Sequence, residues 1–96
     1  MMILRPDDTF AGCRIIALCG SGGTGVVYLA QDALTRQVAL KIVALCNAER
    51  ELAGIRQYIR AAEGQPNLIR IFHAGIEQDC LYYIMEAGGG RRLPSA

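Results

Sequence analysis

A single lysine lies in the middle of an apolar stretch, where a charge needs a partner. Lys41 is the only lysine among the ten basic residues, and residues 37–44 read Gln-Val-Ala-Leu-Lys-Ile-Val-Ala. Burying an unpaired ammonium is costly, so the position predicts a nearby carboxylate or an anionic ligand. A compact ammonium also contacts a phosphate in a way that arginine does not reproduce. The stretch therefore predicts a strand that carries a functional lysine.

A glycine-rich segment precedes the lysine in the chain. Its residues are Gly20, Ser21, Gly22, Gly23, Thr24 and Gly25. In a dinucleotide-binding unit such glycines join a strand to a helix, whose N-terminus binds pyrophosphate. Here residues 26–30 are Val-Val-Tyr-Leu-Ala, which is typical of a strand. A hairpin whose backbone amides approach phosphate oxygens fits this pattern better, and a hairpin without a ligand is the alternative.

Five strands and one helix are predicted around these residues, in the order β-β-β-α-β-β. The strands are expected at residues 13–19, 26–30, 37–44, 68–73 and 80–85. The helix is expected to begin at Asn47 as N-cap and to stop at the Gly-Gln-Pro of residues 64–66. Its apolar face is predicted from helical spacing, at Leu52, Ile55, Ile59 and Ala62.

Four segments together resemble the Ser/Thr protein kinase family in its bacterial form. Two are the glycine loop running into residues 26–32 and the Arg-Gln-Val-Ala-Leu-Lys-Ile of residues 36–42, with Lys41 sixteen residues after Gly25. The others are Gln-Pro-Asn-Leu-Ile at 65–69 and Leu-Tyr-Tyr-Ile-Met-Glu at 81–86. The resemblance covers residues 12–90. It implies an α+β fold, a five-stranded antiparallel sheet with one αC-like helix, which is the family's N-terminal lobe.

The resemblance also implies which residues contact ATP, the cofactor that the family uses with magnesium. The loop from Gly20 to Gly25 would cover the phosphates, and Lys41 would hold the α- and β-phosphates. Val27 and Ala39 would form the apolar ceiling over adenine. Met85 would be the gatekeeper at the back of the pocket, and the segment from Glu86 to Gly88 would be the hinge that offers backbone hydrogen bonds to adenine.

In the family, the lysine pairs with a glutamate of the helix, and two candidates lie near the helix start. Glu51 borders the apolar face on the side of Ile55 and can point inward, whereas Glu49 can serve the helix dipole in the first turn. The facing argument favours Glu51, although only ten residues separate it from Lys41, a shorter link than the family usually has. Glu63 lies at the opposite end of the helix, where an acid is unfavourable.

The family's catalytic loop and magnesium-binding motif do not occur in these 96 residues. There is no His-Arg-Asp and no Asp-Phe-Gly; the only histidine is His73, and no aspartate follows Asp79. We therefore expect an ATP-binding lobe present as a truncated fragment that is inactive alone, with no metal ligands. The alternative is a non-catalytic interaction module. It would bind a protein partner through the face that the large lobe covers, where Val27, Ala39 and Met85 are expected beside solvent.

Composition and charge restrict the remaining possibilities. Apolar residues make up 52% of the chain, and ten basic against nine acidic residues leave a net charge of +1. This balance gives no support for nucleic-acid binding. The longest uncharged run, residues 15–31, holds four glycines and is a poor membrane span, so a cytoplasmic protein without membrane partners is expected.

Cysteine spacing and chain organisation complete the expectations. No two of Cys13, Cys19, Cys46 and Cys80 form a Cys-x-x-Cys pair, which argues against a zinc site. Their apolar surroundings predict buried free thiols in a reducing compartment. We expect an N-terminal extension at 1–11, the lobe at 12–87 and a flexible tail at 88–96.

Overall fold

A computed structural model describes residues 3–21, 25–62 and 70–87 of the chain. They form one antiparallel sheet in the order β1-β2-β3-β4-β6-β5, with one helix between β4 and β5. The elements are β1 (Thr9–Phe10), β2 (Cys13–Ser21), β3 (Gly25–Gln31), β4 (Gln37–Ala44), α1 (Ala48–Ala62), β5 (Ile71–Glu77) and β6 (Cys80–Glu86). The predicted α+β class, an antiparallel sheet with one helix, is confirmed, but the sheet has six strands where five were predicted.

The additional strand, β1, lies in the segment expected to be an N-terminal extension. Phe10 pairs with Cys13 across a two-residue turn, in which Ala11 and Gly12 both have positive φ. Turns of this kind match the twist of the strands that they join. The Phe10 ring is buried and meets Tyr82 edge-on, with ring centroids 5.8 Å apart. A two-residue strand shows no alternation of apolar and polar residues, so the sequence did not predict it.

Strand β5 lies later in the chain than the fourth predicted strand, to which it corresponds. It spans Ile71–Glu77, whereas residues 68–73 were expected, of which 68 and 69 lie outside the described residues. The ladder continues to the end of β5, where Glu77 pairs with Cys80. Only Gln78 and Asp79 make the turn, both with positive φ. The predicted helix stop at residues 64–66 and the predicted tail at 88–96 lie outside the described residues as well.

The two faces of the sheet carry separate cores. The outer face is closed by the N-terminal segment, with buried side chains at Leu4, Phe10, Ile15, Val26, Tyr28, Val38, Leu40, Ile42 and Tyr82. The inner face packs against α1, with buried side chains at Ala39, Val43, Ala48, Ile55, Leu81, Tyr83 and Met85. Alternate residues of a strand point to opposite faces, and so the odd-numbered positions of β4 and β6 share the inner face with the helix.

Helix α1 docks on the sheet through a different stripe from the one predicted. Ala48, Glu51 and Ile55 are buried, whereas Ile59, expected on the apolar face, is 52% exposed. Leu52 is partly buried, and the side chain of Ala62 lies outside the described part. The buried stripe includes a carboxylate because β4 and β6 present hydrogen-bond donors to it. Ile59, which lies further along the helix from those donors, is left at the surface.

The β3–β4 hairpin is held by one aspartate. Asp32 Oδ1 accepts hydrogen bonds from the backbone N–H groups of Leu34 and Arg36, at 3.0 and 2.9 Å. Its Oδ2 accepts from Arg36 Nε at 2.9 Å. Aspartate at the start of a turn commonly caps backbone groups in this manner. The closed turn aligns the two strands so that Val27 lies opposite Lys41.

The cysteines differ from the expectation of buried thiols. All four are free, but only Cys13 is buried, while Cys19 and Cys46 are exposed. Burial, followed by the charge of Asp32, raises the pKa of the Cys13 thiol. Across the described ranges, no helix combines the length and hydropathy needed to cross a membrane.

Candidate functional site

Lys41 occupies the centre of the sheet, on the inner face of β4. It lies opposite Val27 of β3 and opposite Tyr83 of β6. Its side chain is 1% exposed, so the ammonium is removed from water. A buried ammonium requires a compensating negative charge or a strong acceptor. Because β4 is paired on both sides, the Lys41 side chain leaves the strand from the inner face of the sheet and extends toward α1.

Glu51 supplies the negative charge. Lys41 Nζ donates to Glu51 Oε2 at 3.0 Å, and the glutamate is 9% exposed. Glu49, the other candidate at the helix start, is exposed, and Glu63 lies outside the described residues. A 3-10 turn at Leu45–Asn47 joins β4 directly to α1. This tight return brings the first turns of the helix over the sheet, so a ten-residue separation is enough for the pair to form.

Tyr83 is a third member of the cluster, and sequence reasoning assigned it only to packing. Its hydroxyl donates to the same oxygen, Glu51 Oε2, at 2.7 Å. Burial raises the pKa of this hydroxyl, and so do its hydrogen bond to Glu51 and the negative charge there. Strand parity could have found it: Tyr83 is two residues before Met85, on the face that carries Lys41. The residue type indicates that a buried hydroxyl needs an acceptor, but it does not identify Glu51 as that acceptor.

Three apolar residues assigned to the adenine pocket share the inner face. Val27 is opposite Lys41, and Ala39 is opposite Met85. The expected exposure of these side chains is wrong for two of them, because Ala39 and Met85 are buried and only Val27 is partly exposed. Met85 is covered from β5, where Ile71 is its ladder partner. The sheet and the helix thus close most of this apolar surface themselves.

The glycine loop is described at its two ends. Gly20 and Ser21 are the exposed last residues of β2, and Gly25 is the buried first residue of β3. Gly22, Gly23 and Thr24 lie outside the described residues. A Cβ at Gly25 would collide with the carbonyl oxygen of Ile42, so glycine is required there by the protein itself. A Cβ at Gly20 would meet nothing within 4 Å, so packing does not explain that glycine.

Curated relatives of the chain are protein kinases, although no family model matches it. It is 36% identical over 86 residues to the serine/threonine-protein kinase PrkC of Bacillus subtilis, covering 83% of this chain and 13% of that protein. It is 33% identical over 99 aligned residues to the serine/threonine-protein kinase PknJ of Mycobacterium tuberculosis, covering 97% of this chain and 17% of that protein. The chain belongs to the bacterial Ser/Thr protein kinase family. The resemblance stated from its motifs is confirmed.

Solved structures show which part of the kinase fold the chain forms. The kinase domain of Mycobacterium tuberculosis PknI superposes with a TM-score of 0.68 at 25% identity, over 88% of this chain and 37% of that one. The kinase domain of PF14_0431 superposes with a TM-score of 0.72 at 17% identity, which is evidence for the fold alone. The described residues therefore form the N-terminal lobe of the kinase fold, and the chain spans only a small part of the full-length relatives.

The hinge expected in this kinase lobe begins at the end of β6. The backbone N–H of Glu86 donates to the carbonyl oxygen of Arg70 at 2.8 Å. Hydrogen bonds to adenine would have to come from other atoms of the segment, since this N–H is taken. Gly88, the last residue assigned to the hinge, lies outside the described residues.

Two other features bear on the chemistry of the kinase lobe. Within the described part of the chain, no group of three or more His, Cys, Asp or Glu residues comes together in a way that could hold a metal ion. A mostly apolar cavity of about 310 Å³ lies on the outer face, lined by residues that include Leu4, Phe10 and Ile42. It is on the opposite side of the sheet from Lys41.

Proposed function

We propose that this kinase lobe binds ATP on its inner face, with the glycine loop over the phosphates and Lys41 contacting the α- and β-phosphates. The observation that carries the proposal is the buried Lys41–Glu51 pair, at 3.0 Å, beside the strand that leaves the glycine loop. Glu51 holds the ammonium in place through the hydrogen bond that its carboxylate accepts. A positioned ammonium then stabilises phosphate oxygens without having to be ordered at the moment of binding.

The residues present fit a nucleotide at this place. The backbone at Gly20 is exposed and open, so a phosphate can approach it without meeting a side chain. Val27 and Ala39 lie on the same face as Lys41, and the partly exposed Val27 presents apolar surface for a base. We therefore assign Lys41 and Glu51 to phosphate positioning. The nucleotide contacts are assigned to the glycine loop, Val27, Ala39, Met85 and the segment from Glu86 to Gly88.

In the whole protein, we propose transfer of the γ-phosphoryl group of ATP to serine or threonine hydroxyls of proteins, with magnesium. The 96 residues contain neither the His-Arg-Asp nor the Asp-Phe-Gly sequence. The general base and the metal ligands of this chemistry lie in those motifs. The lobe alone therefore binds nucleotide and does not turn it over. We also propose a cytoplasmic location, where four free thiols remain reduced.

A protein partner on the side that faces the large lobe is a weaker proposal. That proposal requires an open apolar surface, but two of the three residues expected to form it, Ala39 and Met85, are buried within the lobe. The only described residue of the three that keeps exposed apolar surface is Val27. We accordingly favour nucleotide binding as the function of this face.

A nuclear magnetic resonance titration tests the proposal residue by residue. The ¹⁵N-labelled chain is titrated with ATP and, as a control, with tripolyphosphate, which lacks the base. ATP should shift amide signals at Gly20, Val27 and Ala39, with a dissociation constant on the order of millimolar. Tripolyphosphate should shift Gly20 and leave Ala39 unchanged. Shifts confined to the outer face, for instance at Tyr28, would contradict the proposal.

A further inference from the structure

Two donors converge on one carboxylate oxygen in the core of the lobe. Glu51 Oε2 accepts from Lys41 Nζ at 3.0 Å and from the Tyr83 hydroxyl at 2.7 Å. Lys41 and Tyr83 are direct ladder partners on β4 and β6, so their side chains leave the sheet side by side. The lysine is needed to bind phosphate under the proposed function. No such reason accounts for the tyrosine hydroxyl.

Packing alone does not account for that hydroxyl either. The Tyr83 side chain is fully buried, and a phenylalanine ring would fill the same space. A buried hydroxyl without an acceptor is destabilising, whereas a hydrogen bond to a charged acceptor is among the stronger ones in proteins. The Tyr83 hydroxyl therefore stabilises the fold only because Glu51 accepts its hydrogen bond. Glu51 in turn is held by two donors, Lys41 on β4 and Tyr83 on β6.

The apolar contact that fixes α1 is narrow. Among the described side chains of α1, Ala48 and Ile55 are the buried apolar ones, Leu52 and Tyr58 are partly buried, and Ile59 is exposed. One of the two apolar side chains is a single methyl group, which contributes little buried area. The polar contacts of Glu51 therefore provide a large part of the attachment of the helix to the sheet. They also set its rotation, because the carboxylate has to reach both donors at once.

We propose that Tyr83 is a positioning residue that holds the Glu51 carboxylate against Lys41 and thereby keeps α1 docked on the sheet through protein contacts alone. Its importance for catalysis rests on the proposed function, in which the Lys41–Glu51 pair positions ATP. The attachment itself does not depend on ATP. Tyr83 acts through Glu51 and does not touch the nucleotide.

Chemical labelling of Lys41 measures the attachment directly. Lys41 is the only lysine, so an amine-acylating reagent modifies one side chain, which peptide mass spectrometry separates from the N-terminal amine. Tyr83→Phe removes one oxygen and keeps the ring. Without nucleotide, this variant should raise the acylation rate of Lys41 about tenfold, the effect of losing one hydrogen bond to a charged group. Acylation within about twofold of the unmodified chain would overturn the proposal, given the scatter of such effects.

A neighbouring tyrosine provides the matched control. Tyr82 is the preceding residue of β6, and its hydroxyl lies 3.2 Å from His73 Nε2, in the core of the outer face. Tyr82→Phe removes the same atom from the same strand, and the acylation rate of Lys41 should stay within about twofold. An equal rise in both variants would mean general loosening of β6, which contradicts a specific role of Tyr83.

A double-mutant cycle separates action through Glu51 from loss of packing. Glu51→Gln alone should raise the acylation rate, and adding Tyr83→Phe should then change it by less than about twofold, because the acceptor charge is already gone. If the two substitutions multiplied their effects on the acylation rate in full, the proposal would be contradicted.

If Tyr83→Phe does not fold, a measurement on the unmodified chain still tests the proposal. Its Tyr83 Cζ carbon should give two resolved signals in mixed H₂O and D₂O, because the buried hydroxyl exchanges slowly, and one averaged signal would contradict the proposal.

ATP titration of the same proteins keeps the two proposals apart. If the unmodified chain binds no ATP, the proposed function fails, while the labelling result still decides the role of Tyr83. If ATP binds and labelling is unchanged by Tyr83→Phe, the role of Tyr83 fails and nucleotide binding stands. If both proposals are correct, Tyr83→Phe should also weaken ATP binding severalfold, because the Lys41 ammonium is then less well positioned for the phosphates.

Discussion

Val27 and Lys41 lie opposite one another in the ladder between β3 and β4. The strand that leaves the glycine loop therefore runs directly beside the strand that carries the lysine. In the antiparallel register, the third glycine, Gly25, pairs with Val43, two positions beyond the lysine. Gly25 and Lys41, sixteen residues apart in the chain, thus lie close together on neighbouring strands, and the hairpin turn at Asp32 and Arg36 sets that alignment.

Two glycines of the loop should respond differently to the same substitution. Gly25→Ala should lower the free energy of unfolding by about 1–3 kcal/mol, because the new methyl group collides with the Ile42 backbone. Gly20→Ala should leave stability unchanged or slightly higher, since its methyl group enters open space. It should nevertheless weaken ATP binding severalfold. Chemical denaturation and calorimetry check both, and unaltered ATP affinity in Gly20→Ala would argue against phosphates at that place.

Two isoleucines of α1 test how the helix is rotated on the sheet. Ile55 is 6% exposed and Ile59 is 52% exposed. Ile55→Ala should cost about 2–4 kcal/mol of stability, as expected for truncation in a core. Ile59→Ala should cost less than about 0.5 kcal/mol, as for a surface site. Equal losses measured by urea denaturation would show that the helix is rotated differently and that Glu51 does not face Lys41.

Alkaline pH should weaken the fold through Tyr83. Burial and the Glu51 carboxylate raise the pKa of this hydroxyl above the value of about 10 found in an unfolded chain. Above pH 10 the unfolded chain releases a proton that the folded chain keeps, so the free energy of unfolding falls as the pH rises. The contribution is fully present below about pH 10. Compared with Tyr83→Phe, the native chain should lose up to about 1.4 kcal/mol of stability per pH unit above 10, and parallel profiles would contradict this.

The 96-residue chain should not transfer phosphate. Positioning of the acceptor hydroxyl and of the metal ions supplies most of the catalysis in phosphoryl transfer, and the sequences that provide them are not among these residues. A radiolabel assay with ATP, magnesium and a generic protein substrate is the check. Turnover that disappears in Lys41→Met would contradict the prediction.

Local motifs predicted much of this lobe, and relationships between strands explain most of what they missed. The glycine spacing and the apolar strand around Lys41 are contained in short segments, so the strand of Lys41 and its pairing with Glu51 could be predicted from sequence. Strand parity places Tyr83 on the face of Met85, but its contact with Glu51 depends on the register between β4 and β6. That register depends in turn on hairpin geometry.

The helix shows the same limit. Helical spacing is compatible with a buried stripe through Ile55 and Ile59 or through Glu51 and Ile55, and apolar residue type favours the first. The structure has the second because two buried donors require the carboxylate. Cys19 and Cys46 were likewise expected to be buried from their neighbours in sequence, yet both are exposed. Exposure at a strand end or in a turn depends on the fold and not on adjacent residues.

The affinity of the chain for ATP, compared with that of Lys41→Ala, tests the central claim most directly. Isothermal titration calorimetry of the unmodified chain should give a dissociation constant on the order of millimolar. In Lys41→Ala binding should fall below detection, with folding verified by circular dichroism because Glu51 loses its partner. Micromolar binding retained in a folded Lys41→Ala chain would contradict the account, since ATP would then bind elsewhere than on the face that carries Lys41 and Glu51.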